Sequence, residues 1–383
     1  MSARATPPAG GAAAPRTTGD AIVAVPGTPG RAGTGGSGGR WAGRPEAVRS
    51  LVLLALVSLA ALAVPLLGPG VALHGTGEAA APGLPGIAVL RALLFVALCV
   101  PVGEAYADRL AARLPGVTEL RPPPCRALPA ALVGFLAALL LAGIVAAGNL
   151  VPRHLSDLDL DGLYRTRDGV LAFAEVNAFL LAMLWAGSRR ATCRLLPAAA
   201  VVVAEALRAH PPTEATELLG SALTAVHLTC ALLWAGGLWQ VLRTLRHRPA
   251  PAGGAKAGAA LLAAYARPAV VLLAALSLTG LVSALRRMPP SFGPDLWVTT
   301  AYGRTLLAKA LLVAVAAGLA LVARLRLTRA EVRTAGLRGV PGHPVVRYDA
   351  LAACAPARVE VAVLAVVVVV SAVLTALPVP LLW

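Results

Sequence analysis

The sequence predicts an all-α fold, a polytopic transmembrane bundle of about nine helices. Of its 383 residues 58% are hydrophobic and only 14% are charged, a balance that soluble globular domains do not show. The apolar residues fall in blocks of roughly 17 to 25, long enough for a helix to cross about 30 Å of hydrocarbon. Lys and Arg collect in every second connection between these blocks, as expected for an odd number of spans.

The elements follow in order. Residues 1–45 are rich in Gly, Ala, Pro, Ser and Thr and have no apolar period, so we interpret them as a disordered cytoplasmic tail. The predicted spans come after this tail. They are 48–67, 86–106, 127–150, 169–187, 194–210, 217–242, 261–285, 303–324 and 356–377.

The connections between the spans set the predicted topology. The basic set comprises the tail, 109–126, 189–194, 243–267 and 324–358, whereas 68–85, 151–168, 210–217 and 286–302 are poor in basic residues or balanced by acids. We therefore place the amino terminus in the cytoplasm and the carboxyl terminus outside, in a bacterial inner membrane. The net charge of +16 is this topology signal; it does not indicate nucleic-acid binding, because the arginines form no single patch with aromatic residues.

A weak internal repeat adds to this picture. Residues 163–169 precede the fourth span and residues 297–303 precede the eighth, and both segments hold a threonine three positions before a glycine. Because the two segments lie four spans apart in the same orientation, they suggest two parallel four-helix units plus a final helix. A chance match of short segments is the alternative.

Histidine placement gives the first functional prediction. Of six histidines only His227 lies inside a span, about nine residues or roughly 14 Å from its outer end. An imidazole there is costly in lipid, so it should face the bundle interior and have a partner. Cys230 follows at i+3 on the same helical face, and an imidazole with a soft sulfur suits copper better than a hard cation. The alternative is a packing histidine beside a small apolar cysteine.

Other candidates lie around His227. His210 closes the fifth span at the predicted outer surface, and Met288 and His154 in outer connections could add ligands for copper capture. Glu175, Glu205 and Trp234 are candidates for a polar pathway through the membrane, and the two acids could equally be paired helix-packing contacts. Lys309 and Glu360 could extend that pathway, and for these two we favour a structural interpretation, as paired packing contacts or residues that reach the interface.

Several function classes are excluded by missing patterns. The sequence contains no G-x-S-x-G, H-E-x-x-H, P-loop or dinucleotide fingerprint, so we expect no enzyme. Its five cysteines form no C-x-x-C pair, which argues against a zinc ribbon or a disulfide framework. A single deep histidine also argues against a b-type haem, which needs two at matching depth.

Four blocks of the sequence carry a family resemblance. They are residues 226–238, which include His227 and Trp234; residues 265–268 with 278–280; residues 302–309; and residues 358–360. In order and spacing these blocks resemble the copper resistance D family, the CopD-type integral membrane domain, over about 198–380. The resemblance implies copper passage across the bacterial inner membrane and copper resistance beside a periplasmic CopC-like copper-binding partner.

Carried onto this chain, the resemblance points to His227, with His210 as the second histidine. Two features depart from the family pattern: no CopC-like β-domain is fused to this chain, and His210 is followed by Pro-Pro-Thr. The predicted domains are the tail, an N-terminal transmembrane unit at 46–190 and a CopD-like transmembrane domain at 191–383.

The predicted function is copper import and copper homeostasis at the inner membrane, with the copper ion bound or carried. Copper would be taken by His210, move to His227 and Cys230, and leave at the basic cytoplasmic side. Two alternatives stay open. One is a non-transporting factor that delivers copper to a respiratory oxidase, and the other is a metal-free membrane scaffold.

Overall fold

The computed structural model describes residues 70, 72–79, 82–114, 123–188, 190–214, 216–247, 254–288, 295–336 and 355–377. These ranges contain helices, turns and loops and no strand. The predicted tail at 1–45 and the first predicted span at 48–67 lie outside them.

Ten α-helices make up the described chain, together with a 3₁₀ turn at Leu155–Asp157. The helices are α1 (Leu84–Ala112), α2 (Ala127–Ala146), α3 (Leu160–Arg165), α4 (Arg167–Trp185), α5 (Ala191–Arg208), α6 (Glu217–His247), α7 (Gly254–Arg287), α8 (Leu296–Thr299), α9 (Ala301–Gly336) and α10 (Ala355–Ala376).

Seven of these helices, α1, α2, α4, α6, α7, α9 and α10, are long and apolar enough to cross a membrane. Each of the seven coincides with a predicted span, so the prediction of an all-helical, multi-pass membrane protein is confirmed. Helix α5 coincides with the predicted span 194–210, but its 18 residues include three charged side chains, Arg194, Glu205 and Arg208. The total of nine spans stays a prediction.

Eight of the described helices have 18 or more residues, and they alternate in direction along the chain: α1, α2, α4, α5, α6, α7, α9 and α10. Their ends therefore meet at two ends of the bundle. Arg167 at the start of α4 donates to the carbonyl oxygen of His210 at 3.4 Å, and Arg286 at the end of α7 donates to Glu214 at 2.6 Å. Arg304 of α9 donates to the carbonyl oxygen of His74 at 2.7 Å. We call this the His210 end. The four connections predicted to share one side of the membrane therefore share one end.

The opposite end is organised by Glu104 of α1, and we call it the Glu104 end. The Glu104 carboxylate accepts from the backbone N–H of Arg126 at 2.8 Å and from Arg243 of α6 at 3.2 Å. It also accepts from the thiol of Cys125 at 3.1 Å. Since Cys125 and Arg126 immediately precede α2, these bonds attach the start of α2 to α1 and α6.

Helix α1 lies at the centre of the bundle and packs against α2, α5, α6, α7 and α10. One apolar core is formed mainly by α1, α2, α4 and α5, and includes Leu94, Phe179 and Val201. A second core is formed mainly by α6, α7, α9 and α10, and includes Trp234 and Val363. We call these the α1–α5 side and the α6–α10 side.

Two glycines allow the close crossing of α1 and α6. A Cβ atom on Gly103 would clash with the backbone of Gly236, and one on Gly236 would clash with the carbonyl oxygen of Cys99. Small residues at such a crossing let two backbones approach, which is how many membrane helices gain van der Waals contact. The crossing joins the two sides of the bundle.

The two segments of the weak sequence repeat share a local structure. Thr166 caps α4 and its hydroxyl accepts from the N–H of Gly169 at 3.2 Å, while the Thr300 hydroxyl accepts from Gly303 at 3.0 Å at the start of α9. A short helix, α3 or α8, precedes each cap. Each threonine therefore satisfies a backbone N–H that has no partner within its helix. The larger repeat of two four-helix units, and the domain division at 190/191, stay predictions.

Candidate metal site

His227 lies in α6 and is half-buried between helices. Its Nδ1 is 3.0 Å from the hydroxyl oxygen of Thr279 on α7. Thr279 directs its own hydroxyl proton to the carbonyl oxygen of Ala275 at 2.7 Å, so Nδ1–H of His227 is the donor to Thr279 and Nε2 keeps its lone pair. Gly280 leaves space for the ring, because a Cβ there would lie 3.2 Å from Cε1 of His227. This is the orientation that a metal-binding histidine requires.

His210 is 3% exposed and both of its ring nitrogens are hydrogen-bonded. Nδ1 is 2.7 Å from the carboxylate of Glu214, and Nε2 is 3.0 Å from the hydroxyl of Thr224 on α6. The carboxylate accepts a hydrogen bond from Nδ1–H, so in the neutral ring Nε2 accepts from the hydroxyl of Thr224. A metal at Nε2 would replace this one hydrogen bond.

Thr224 connects the two histidines. It bonds His210 and precedes His227 by three residues, so it lies one turn away on the same face of α6. Glu214, Thr224 and Thr279 were missed by sequence reasoning. The spacing of His210 and Glu214, four residues apart in a short connection, is the one local signal that could have shown the first of these.

Trp234 continues the same face of α6 towards the Glu104 end. Its side chain is buried, and its indole N–H donates to Oε1 of Glu360 on α10 at 3.1 Å. The hydroxyl of Tyr265 on α7 donates to the carbonyl oxygen of Trp234 at 2.7 Å. The predicted pathway residue Trp234 therefore contacts a buried carboxyl group, and the face of α6 that carries Thr224 and His227 continues to Trp234.

The polar residues Tyr265 and Thr279 of α7, Lys309 of α9 and Glu360 of α10 belong to one stretch of the sequence. Residues 259–374 match the family model of copper resistance protein D. The resemblance seen in the sequence is confirmed over this segment, which we call the copper resistance D segment. His210, His227 and the block 226–238 precede it. The family implies a role in copper resistance or homeostasis at a membrane.

Other comparisons add no relatives. No curated protein and no solved structure matches the chain. The family relation therefore rests on the copper resistance D segment alone, which supplies α7, α9 and α10 around the α6 face that carries His227.

Lys309 of the copper resistance D segment lies close enough to His227 for the charge of its ammonium group to act on the imidazole. Both residues are about eight to ten residues from the His210 end of their helices, or roughly 12–15 Å at about 1.5 Å per residue. A cation beside a metal ligand weakens metal binding by Coulomb repulsion. Any metal at His227 would therefore be held loosely.

The predicted pathway acids Glu175 and Glu205 lie outside the copper resistance D segment, and each contacts an arginine. Arg208 lies 3.1 Å from the Glu175 carboxylate and 3.4 Å from Asp168, and Arg91 of α1 lies 3.3 Å from Glu205. These ion pairs join α1, α4 and α5. The geometry matches the packing alternative for these two acids.

The remaining candidate ligands are placed separately. Cys230 is buried in the apolar core of the α6–α10 side, with a free thiol. Met288 follows α7 at the His210 end and is buried, and His154 is exposed beside the 3₁₀ turn. Across the described ranges, no three His, Cys, Asp or Glu side chains come together as a metal-binding group.

Proposed function

We propose that this protein imports copper across the inner membrane and that it is not an enzyme. The observation that carries the proposal is the setting of His227, an imidazole within a membrane-spanning helix whose Nδ1 is held by Thr279 and whose Nε2 is left for a ligand. Ionisable side chains are rare at such depth in a membrane, and where they occur they commonly mark the pathway of an ion or a substrate. Imidazole suits copper, and the copper resistance D segment indicates the same metal.

The proposed route follows the face of α6. Copper enters at the His210 end, which we place outside because its connections are poor in uncompensated basic residues. It binds Nε2 of His210 in place of Thr224 and then passes one turn inward to His227. Each site on the route offers few ligands, and the charge of Lys309 repels a metal ion at His227. Both features favour release of the copper ion over its retention. A periplasmic CopC-like protein is the proposed donor, and Met288, His154 and Cys230 are auxiliary ligands of the same proposal.

The test measures cellular copper and the initial uptake rate under limiting copper, at matched membrane levels of each variant. We expect wild type to raise uptake and His227→Ala to abolish the gain. His210→Ala should lower uptake at limiting copper and recover at high copper, because capture is then no longer limiting. His247→Ala is the matched control, since this histidine is the last residue of α6, at the opposite end of the helix from His210. Equal uptake by wild type and His227→Ala would reject the route.

One observation favours a second function, delivery of copper to a respiratory oxidase without transport. Because Glu175 and Glu205 are paired with arginines, they are not available to extend a polar path through the α1–α5 side. A delivery factor would leave copper accumulation unchanged in all variants, while oxidase metallation would fall in His210→Ala and His227→Ala. A metal-free scaffold would keep both measurements at the wild-type value after His227→Gln.

A further inference from the structure

Glu360 differs from the other buried acids of the bundle. Within the described ranges Glu104, Glu175 and Glu205 each lie within 3.3 Å of an arginine nitrogen. Glu360 is 4% exposed, and none of the ion pairs between described residues includes it. Its hydrogen bond is the one from the indole N–H of Trp234 to Oε1.

Polar side chains of α6, α7 and α1 lie in the region of Glu360. Helix α6 contributes Trp234, and α7 contributes Tyr265, whose ring meets that of Tyr106 on α1 edge-on at 6.3 Å. The Tyr106 hydroxyl is buried without a hydrogen-bond partner among the described residues. Gly237 leaves room for both tyrosine rings, because a Cβ there would press on each. None of these neighbours carries a positive charge.

The basic residues of the packed helices are placed elsewhere. Arg358 precedes Glu360 by two positions, and side chains two apart on a helix do not face each other. Helix α9 carries Lys309 beside His227, and Arg324 and Arg326 towards the Glu104 end. On α1, the charge of Arg113 acts on Tyr106, and Arg243 of α6 is paired with Glu104.

An ionised carboxylate in this setting is unfavourable. Moving a charge from water into a low-dielectric interior is costly, and so is an ionised acid near the centre of a membrane helix. A single hydrogen bond from a neutral donor offsets only part of this cost. A bound proton removes the charge. Oε1 then accepts from Trp234 as the carbonyl oxygen, and Oε2 carries the proton.

We propose that Glu360 is a proton-binding site within the membrane, and that a metal cation arriving from His227 displaces its proton towards the Glu104 end. The displacement rests on the proposed copper route, whereas the bound proton does not. The exchange breaks the O–H bond of the Glu360 carboxyl group and forms a bond from its oxygen to the metal. One proton leaves for each Cu(I) that binds, and no group changes oxidation state.

The bound proton is tested by infrared spectroscopy of the purified full-length protein in lipid at neutral pH. A protonated carboxyl group has a C=O stretching band that a carboxylate lacks. We expect Glu360→Gln to remove such a band, and Trp234→Phe to shift it to higher wavenumber because the C=O group loses its donor. Glu104→Gln is the control and should leave the band in place, since the Glu104 carboxylate is paired with Arg243.

The displacement is tested on the same sample with Ag⁺, a redox-inert probe for Cu(I). Ag⁺ should diminish the Glu360 band and release about one proton per bound ion, measured with a pH dye, and Glu360→Gln should release none. A spectrum with no band that depends on Glu360 would overturn the proton site. A Glu360 band that persists under saturating Ag⁺ would overturn the displacement. If the band behaves as expected but His227→Ala leaves cellular uptake unchanged, the copper route fails and the proton site stands.

Discussion

The α1–α5 side and the α6–α10 side of the bundle differ in the partners of their buried ionisable side chains. On the first, Glu175 and Glu205 are matched by Arg208 and Arg91, so the charges are neutralised within the fold. On the second, His227 is bonded by Thr279 and Glu360 by Trp234, both neutral partners. Charges that are neutralised by fixed partners hold helices together, whereas titratable groups with neutral partners are free to take up a proton or a metal.

Removal of Arg208 gives the largest expected effect and would break the comparison most directly. Arg208→Met leaves Glu175, which is 1% exposed, without its cation, and breaking a buried pair in this way costs about 3–5 kcal/mol. We expect a marked loss of folded protein and a lower unfolding temperature in detergent.

Two variants control this experiment. The double variant Arg208→Met with Glu175→Gln should recover most of the stability, because no uncompensated charge then remains. Glu360→Gln should change stability by less than about 1 kcal/mol, since glutamine keeps an oxygen acceptor for Trp234. If Glu360→Gln were as damaging as Arg208→Met, the two sides would not differ as described.

The seam between the two sides is tested at the crossing of α1 and α6. Gly236→Ala places a methyl group against the carbonyl oxygen of Cys99, and overpacking of this kind costs about 1–3 kcal/mol. The unfolding temperature in detergent should fall accordingly. Gly318→Ala on α9 is the matched control, because a Cβ there meets nothing within 4 Å. Equal stability of the two alanine variants would show that the seam is not tightly packed.

A neutral partner on the α6–α10 side is tested at Thr279. Thr279→Val keeps the shape of the side chain but removes the hydroxyl that orients His227, and loss of such a partner lowers metal affinity about 10–100-fold. Ag⁺ binding to the purified protein, measured by competition with a chelator, reports the change. Thr305→Val is the control, since this hydroxyl bonds the Ala301 carbonyl oxygen. Unchanged affinity after Thr279→Val would separate His227 from metal binding.

The smallest expected effect concerns the Cys125 thiol, which lies beside Glu104. Burial raises the pKa of the Cys125 thiol, and the adjacent Glu104 carboxylate raises that pKa further. At a pH near 8 Cys125 therefore has less thiolate than an ordinary cysteine, so its alkylation should be slow. The alkylation rate should go on rising with pH beyond the point at which an ordinary thiol reaches its maximum rate. Glu104→Gln should lower the pKa and speed alkylation a few-fold, followed by mass spectrometry of the Cys125 peptide. No acceleration would contradict an effect of the Glu104 side chain on the Cys125 thiol.

The helices were predictable because apolar length decides them. The predicted span 127–150 begins at the same residue as α2, and 217–242 begins with α6. Ends were less predictable: α1 continues six residues past the predicted 106, since a helix extends beyond the apolar block wherever its polar residues find partners. The short helices α3 and α8 were missed because each has at most six residues and no full amphipathic period.

The site was only partly predictable. Predicted depth in the membrane singled out His227. The helical period places Trp234, seven residues later, on the same face of α6 as His227. The partner Thr279 is 52 residues away, and the partner of Trp234, Glu360, is 126 residues away, so no local pattern could pair them. The choice between pathway and packing for Glu175 and Glu205 likewise depended on arginines in other helices, which spacing along the chain does not reveal.

The central place of α1 has a consequence for biosynthesis. Arg91 pairs with Glu205, which lies 114 residues later in the chain, and Glu104 pairs with Arg243, which lies 139 residues later. At about 5–20 residues per second, α1 leaves the ribosome roughly 6–28 s before these partners exist. During that interval its two charges need water, lipid head groups or an insertion chaperone as temporary neighbours. Truncation of the nascent chain before α5 removes both partners and should therefore leave α1 exposed to quality-control proteases of the membrane.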